Sequence, residues 1–342
     1  MEIASFFTGA GGLDLGFENA GFEVVWANEF DKSIWDTYRH NFSSTFLDTR
    51  NIVEIEPSDI PHCDGIIGGP PCQSWSEAGT RRGIEDHRGQ LFFEYIRLLK
   101  AKRPLFFLAE NVSGIVFNRH RKAFDKILKT FSKIGYNVSC NLMNVNDYGV
   151  PQDRKRVIIV GYLAQYGKHF EPPAPLEYAP TLKDAIWNLR NSCVPALEKN
   201  RKNPCTKVEN HEYFVGGFSS IYMSRNRVRP WNRPSFTIQA GGRHAPIHPQ
   251  APAMVAVGKD VRKFVKGKNY RRLSVRECAR VQTFPDNCLF KYEYLNDGYK
   301  MIGNAVPIKF AEILANQIAI DVSEFKLSRR QEVVKGTILS GT

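Results

Sequence analysis

The sequence predicts an α/β fold, a sheet with helices on both faces, joined to a smaller irregular module that is strongly basic. Three observations carry this. Up to about residue 165, short apolar runs alternate with helical patterns, as in a sheet with crossover helices. Beyond the proline-rich stretch Glu171-Pro172-Pro173-Ala174-Pro175 the pattern turns irregular and rich in Asn, Arg, Gly and Pro. The net charge of +12 is also uneven: residues 186–275 hold 17 Lys and Arg against 4 Asp and Glu, which leaves the rest of the chain close to neutral.

The apolar runs are Glu2–Phe7, Phe22–Ala27, Gly65–Ile67, Leu105–Ala109, Val138–Met143 and Val157–Val160, each of strand length. Between Arg88 and Lys102, residues Leu91, Phe92, Tyr95, Leu98 and Leu99 recur at steps of three and four, and Pro104 lies just beyond. A second helix puts Phe124, Ile127, Leu128, Phe131 and Ile134 on one face and stops at Gly135. Helical periodicity returns from Arg271 through Val275, Cys278, Ala279 and Gln282. Pro307 to Ile320 reads as a last helix, and the chain from about Asp321 reads as a tail. The corresponding domain division is 1–185 with 301–325 for the sheet domain, 186–275 for the basic module, 276–300 for a hinge and 326–342 for the tail.

A chain of 342 residues, 42% of them hydrophobic, can bury one large core or two modest ones. No apolar stretch approaches the roughly 20 residues of a membrane span, and the start MEIASFF lacks a basic segment ahead of a cleavable apolar one. A cytoplasmic location is expected. The seven cysteines, Cys63, Cys72, Cys140, Cys193, Cys205, Cys278 and Cys288, form no CxxC pair, so neither a disulfide framework nor a metal site is expected. In the basic module arginine dominates, in Arg225-Asn226-Arg227-Val228-Arg229-Pro230-Trp231 and again at Arg233 and Arg243. Its planar fork suits phosphates and guanine edges, which makes nucleic acid the expected partner.

The first apolar run leads into Thr8-Gly9-Ala10-Gly11-Gly12-Leu13-Asp14, a glycine-rich turn between strand and helix that lets a ligand approach the backbone. Asp14 stands where the dinucleotide fingerprint needs its third glycine, which disfavours a nicotinamide cofactor. The second run ends at Asn28-Glu29-Phe30-Asp31, placing Glu29 where a carboxylate can accept from ribose hydroxyls. Turn and carboxylate together fit S-adenosylmethionine, with other nucleotide ligands still open. Cys72 follows a third run in Gly68-Gly69-Pro70-Pro71-Cys72-Gln73-Ser74-Trp75, where stiff backbone presents a thiol at a strand's C-terminal edge. Glu110 closes a fourth run and is followed by Asn111-Val112. Gln152-Asp153-Arg154-Lys155-Arg156 leads into a fifth, and Gly303-Asn304-Ala305-Val306-Pro307 opens the last helix.

This ordered series, from about Ile3 to the helix after Pro307, closely resembles the DNA cytosine-5 methyltransferases of bacterial restriction-modification systems. The resemblance implies a Rossmann-like S-adenosylmethionine-dependent methyltransferase sheet, with double-stranded DNA held between it and the basic module, now read as a target-recognition domain. It implies a catalytic set of Cys72, Glu110, Arg154 and Arg156, with the two arginines holding the cytosine and the carboxylate. For the cofactor it implies Phe7, Gly9, Gly11, Gly12, Leu13, Glu29, Phe30, Pro70, Asn304 and Val306. The family's adenine-binding Asp has no direct counterpart: Asn51, with Ile52 beside it, stands at that position, and Asp48 lies three residues earlier. The loop from Gln73 to Gly89, with Gln73, Ser76 and Arg88 toward DNA, resembles the mobile loop that closes over a flipped base. The stretch from Asn210 to Pro252 resembles the recognition region of members that methylate GGCC, which gives Arg225, Arg227 and Arg243 to guanines, although Ala240–Ile247 departs from that subgroup. A monomer paired functionally with a restriction endonuclease is implied. Two other readings are a tRNA cytosine-5 methyltransferase of the same fold and a catalytically silent DNA-binding regulator. The long arginine-rich segment counts against the first, and the intact Cys72, Glu110, Arg154 and Arg156 count against the second.

Those residue types are what the chemistry needs. Cytosine C5 is too weak a nucleophile to attack a methyl sulfonium until a thiolate has added at C6. A carboxyl group at N3 stabilises the charge that this addition places on the ring. A base stacked in a duplex is out of reach, so it must be flipped out at a cost of a few kcal/mol.

Overall fold

The computed structural model describes residues 1–71, 87–117 and 120–339, with side chains from 90 to 327 in the last two stretches. Its centre is a seven-stranded sheet in the order β3-β2-β1-β4-β5-β8-β6. These strands are β1 (Glu2–Phe6), β2 (Glu23–Asn28), β3 (Phe46–Asp48), β4 (Gly65–Gly68), β5 (Phe106–Val112), β6 (Tyr136–Asn144) and β8 (Lys155–Leu163), with a two-residue β7 (Gln152–Asp153) between the last two. All neighbours pair in parallel except those of β8, which runs against both β5 and β6. The six apolar runs all became strands. The three-residue edge strand β3 is an addition, too short and too mixed to show as an apolar run.

Alternation along the strands feeds two cores. Phe106 and Leu108 of β5, with Ile158 and Val160 of β8, join Phe17, Phe310 and Leu314 on one face, under α1 (Gly12–Asn19) and α8 (Ile308–Leu339). Phe107 and Ala109, with Val157 and Ile159, join Phe92, Tyr95 and Phe131 on the other, under α3 (His87–Lys102) and α4 (Arg121–Lys133). The first edge is closed by α2 (Lys32–Asn41), whose Tyr38 stacks at 4.6 Å on Phe42 just past its C-terminus. Each of the two β5 phenylalanines lies over a cross-strand glycine. Gly65 pairs with Phe106 and Gly161 with Phe107, and a Cβ at either glycine would sit 2.1 Å from the facing ring. Gly161→Ala should therefore lower stability by about 1–3 kcal/mol through overpacking, read as a lower urea midpoint at constant slope.

The end of the chain corrects the sequence reading. It is not a tail from Asp321, because α8 runs on to Leu339. Asp321 is 2% exposed and accepts from the Tyr162 hydroxyl at 2.6 Å and the Lys168 ammonium at 2.8 Å, while the Phe325 ring stacks on Tyr166 at 4.6 Å. Buried Val322 and Phe325 continue the three- and four-residue spacing of Leu314, Ala315 and Ile318.

The basic module is built mostly from loops, with paired β9 (Val194–Pro195) and β10 (Glu212–Tyr213), a short β11 (Ser235–Phe236), and a hairpin of β12 (Val255–Gly258) and β13 (Val261–Lys263). It is stitched to the sheet domain where β11 pairs with β7. The stretch 276–300, expected as a hinge, carries most of α6 (Val275–Val281) and the start of α7 (Leu295–Asn304). Cys278, Ala279, Tyr299 and Met301 of these helices pack in one core with Phe214 and Ile238 of the module and with Leu182 and Ile186 of α5 (Leu182–Ile186).

Candidate active site

Parallel strands bring their C-terminal ends to one edge of the sheet, and the reversed β8 brings its N-terminal end to the same edge. A pocket lies there. The turn Phe7-Thr8-Gly9 after β1, Glu29 after β2, Pro70 and Pro71 after β4, Glu110 and Asn111 on β5, Arg154 and Arg156, Asn304 at the end of α7 and Val306 just beyond it all line it.

The turn after β1 is held from inside. Asp14, fully buried in the first turn of α1, accepts from Ser5 Oγ at 2.6 Å, from Tyr38 Oη at 2.7 Å and from Thr8 Oγ1. Burial pushes its carboxyl up, against the three hydroxyls that hold it down. The clamp keeps Phe7 at φ 54°, a left-handed conformation costly for a phenylalanine, followed by Gly9 at φ 57°. Gly9 has open space where a Cβ would be. Sequence reading took Asp14 only as evidence against one cofactor; its role in the clamp depends on Ser5 and Tyr38, which have no sequence pattern in common with it.

Glu29 points back at this turn. Its two oxygens accept from the backbone N–H groups of Gly9 (2.9 Å) and Asp31 (2.8 Å), and burial raises its carboxyl above the ordinary range in spite of them. Beside it Asp31 caps α2 through Ser33 and forms an ion pair with Lys300 of α7. Asp31 and Lys300 both line the pocket, and neither was singled out from sequence.

Glu110 and Arg156 meet because β5 and β8 are antiparallel neighbours whose registers put Val112 opposite Arg156. Glu110, 8% exposed, lies 2.7 Å from Arg156 Nε. The contact is off the hydrogen-bonding axis of the N–H, so the pair is held by charge rather than by an aligned bond. Next to it Asn111 Nδ2 donates to the Pro70 carbonyl at 3.1 Å, fixing the loop that leads to Cys72.

The expected arginine pair is split. Arg156 holds the carboxylate, whereas Arg154 donates to the backbone carbonyls of Ile238 (3.0 Å), Gly303 (3.0 Å) and Ala305 (3.2 Å). Gln152 extends this joint by accepting from Ile238 N–H at 2.8 Å and donating to Gln282 at 2.6 Å. Gln282 in turn donates to the carbonyls of Ile302 and Ala305. At Gly303 a Cβ would meet Ala240 N at 2.4 Å, so the basic module and the end of α7 touch at backbone distance.

Of the cofactor positions expected from sequence, Phe7, Gly9, Leu13, Glu29, Pro70, Asn304 and Val306 line the pocket. The structure does not bring Gly11, Gly12, Phe30, Asn51 or Ile52 into that lining. Gly11 makes room for the Phe42 ring and Gly12 for the Val306 carbonyl, each within 2.3 Å of a would-be Cβ, so they are packing glycines. Phe30 is 65% exposed beside Glu29, Asn51 caps a short helical turn through Val53 N–H, and Ile52 is buried in the core. Asp48, the alternative to Asn51, is committed to Arg50 at 2.6 Å. Among the DNA positions, Arg225 and Arg243 are exposed. Arg227 lies over the Tyr222 ring at 4.6 Å and donates to the carbonyls of Tyr222 and Ile221, so much of its fork is engaged. Cys72, Gln73 and Ser76 lie outside the described residues, as does the Arg88 side chain. No group of three metal-ligating side chains occurs among the described residues, and no described helix is long and apolar enough to cross a membrane.

A mixed sheet with one reversed strand, and a glycine turn facing a strand-end carboxylate, define an α/β enzyme of the S-adenosylmethionine-dependent methyltransferase fold. Comparison with known proteins gives the family. A profile described as C-5 cytosine-specific DNA methylase matches residues 1–319, and the chain belongs to that family. Type II methyltransferase M.FnuDI of Fusobacterium nucleatum is 52% identical over 344 residues, spanning 98% of this chain and 99% of that protein. Type II methyltransferase M.MthTI of Methanothermobacter thermautotrophicus is 55% identical over 327 residues, spanning 94% and 98%. A putative DNA modification methyltransferase from an E. coli prophage has a similar fold, with a TM-score of 0.71 at 23% identity over 94% of this chain and 99% of that one. Spodoptera frugiperda DNMT2 also shares it, with a TM-score of 0.66 at 18% identity over 93% and 99%.

Proposed function

We propose that this enzyme methylates C5 of a flipped-out cytosine within a short double-stranded site, GGCC, by way of a covalent Cys72 adduct, and that it protects DNA from a partner restriction endonuclease. The observation that carries the reading is the Glu110–Arg156 pair on the same pocket as the Phe7–Gly9 turn and Glu29, next to the Pro70-Pro71 segment that Cys72 follows in the chain. The relatives named Type II methyltransferases support the restriction-modification setting, and the likeness of residues 210–252 to GGCC-methylating members supports the site.

The pocket's donor set fits S-adenosylmethionine. Glu29 offers a carboxylate oriented by two backbone N–H groups for ribose hydroxyls, and at Gly9 a ligand can lie directly on the backbone. When bound, the cofactor supplies an electrophilic methyl group. In the substrate, the Cys72 thiolate forms a bond to C6, and the C5–C6 π electrons move into the ring as N3 takes a proton or hydrogen bond from Glu110. Arg156 keeps the Glu110 carboxyl in place through this step. Once C5 carries the methyl group, loss of the C5 proton re-forms the C5–C6 double bond as the C6–S bond breaks and releases the thiolate, and N3 returns its proton or hydrogen bond to Glu110.

Bisulfite sequencing of plasmid DNA from cells expressing the chain tests base, strand and context together. Methylated cytosine confined to GGCC is expected. Methylation in another motif would reject the site and keep the chemistry, and none would reject both. For the cofactor, Glu29→Ala should weaken S-adenosylmethionine binding by about 1.5–3 kcal/mol, roughly 10- to 150-fold in Kd by calorimetry.

A further inference from the structure

We infer that the β12–β13 hairpin, with Lys266 and Lys268 just after it, is a second DNA contact that grips backbone phosphates flanking the recognition site; the inference rests on the proposed action on duplex DNA. The hairpin is open to solvent along both arms and rests through β13 against the Tyr222–Ser224 turn. Val255, Val257 and Val261 are 46–50% exposed, and its arms pair only with each other. An isolated two-stranded ribbon is marginal in water, so its base must hold it. That base is firm: Met254, one residue before β12, is buried with Tyr222, Val228 and Ile247, and Phe264, one residue after β13, packs on Phe218 at 4.8 Å and on Tyr270 at 4.3 Å.

The same base is bonded to the segment proposed to face guanines. Met254 N–H donates to Asn226 Oδ1 at 3.0 Å, and the Arg227 N–H points at the Met254 sulfur at 3.4 Å. The hairpin therefore projects from the rim of the Arg225–Arg227 segment.

Its charge is one-sided. Lys259, Arg262, Lys263, Lys266 and Lys268 are opposed within this stretch only by Asp260 at the turn. Among the described residues none of the five forms an ion pair, whereas nearby Arg229 pairs with Asp153 and Arg271 with Glu277. Four of the five are lysines, compact point charges suited to phosphates rather than forks suited to base edges. Arms of three and four residues reach about 10–13 Å at roughly 3.3 Å per residue, or about three to four base pairs along a duplex. The cationic surface would also repel a second copy of the chain, which argues against the exposed valines being a dimer seam.

The test compares Lys259→Gln/Lys263→Gln/Lys266→Gln with the unmutated protein on two duplexes sharing one site, one ending about two base pairs beyond it and one with about ten base pairs on each side. On the long duplex the variant should bind roughly tenfold more weakly, with a log K against log salt slope shallower by about 2–3. On the short duplex both affinity and methyl transfer should be unchanged. Lys129→Gln/Lys133→Gln on α4 serves as a control for net charge and should alter neither slope. Equal slopes for variant and unmutated protein on the long duplex, an equal loss on both duplexes, an equal effect of the α4 control, or a dimer that the variant dissociates would each overturn the inference. If the unmutated protein transfers no methyl group to either duplex, the functional reading itself fails, an outcome distinct from all of these.

Discussion

Glu110→Gln should lower kcat by about 10²- to 10⁴-fold, the range lost when a positioned proton donor is removed, while duplex binding persists. Glutamine keeps the shape of the side chain but can neither carry the negative charge that meets Arg156 at 2.7 Å nor take up a proton and pass it to N3. Because the partner is buried, the change also leaves a guanidinium without its counterion, and a smaller fall in melting temperature should accompany the loss of rate. The two effects separate by single-turnover methylation at saturating S-adenosylmethionine, well below the variant's unfolding temperature. A variant that keeps its rate there would remove Glu110 from the chemistry and leave it a structural ion pair.

Cys72→Ser should abolish methyl transfer altogether, because a serine hydroxyl is scarcely ionised near neutrality and adds poorly to C6. A duplex carrying 5-fluorocytosine at the target gives a direct readout. Fluorine at C5 cannot leave as a proton would, so the unmutated enzyme should remain bonded to it and migrate as a protein–DNA complex on a denaturing gel. The serine variant should show no such band and still shift the duplex on a native gel. A trapped band from the serine variant would assign the bond to another nucleophile.

The sheet and the pocket at its edge were legible because they depend on local pattern. Six apolar runs mark six strands, and Glu110 and Glu29 announce themselves by closing such runs. Other features are set by partners remote in sequence. Arg154 lies in the same short segment as Arg156, yet its guanidinium is taken by the carbonyls of Ile238, Gly303 and Ala305, and no side-chain pattern marks a carbonyl as an acceptor. Gly11 and Gly12 look like ligand glycines, and the Phe42 ring and the Val306 carbonyl make them packing glycines instead. The continuation of α8 past Asp321 was within reach, since Val322 and Phe325 keep the helical spacing, but the polar pair Ser323 and Glu324 between them masked it. Asp31 with Lys300 could not have been found, because a pair so far apart in the chain leaves no local signal.

The joint formed by Gln152, Arg154 and Gln282 has an evolutionary corollary. Apart from the Gln152–Gln282 bond, it grips main-chain groups, at Ile238, Ile302, Gly303 and Ala305, and main-chain groups are the same whatever side chain a position bears. Gly303 is constrained in kind by the close approach of Ala240, and Ile238 and Ile302 by burial in the core shared with α6 and α7. Substitutions at Arg225, Arg243 or their neighbours can therefore accumulate without loosening the attachment of the module that carries them. The surface proposed to choose a DNA sequence is free to drift while its mooring stays put.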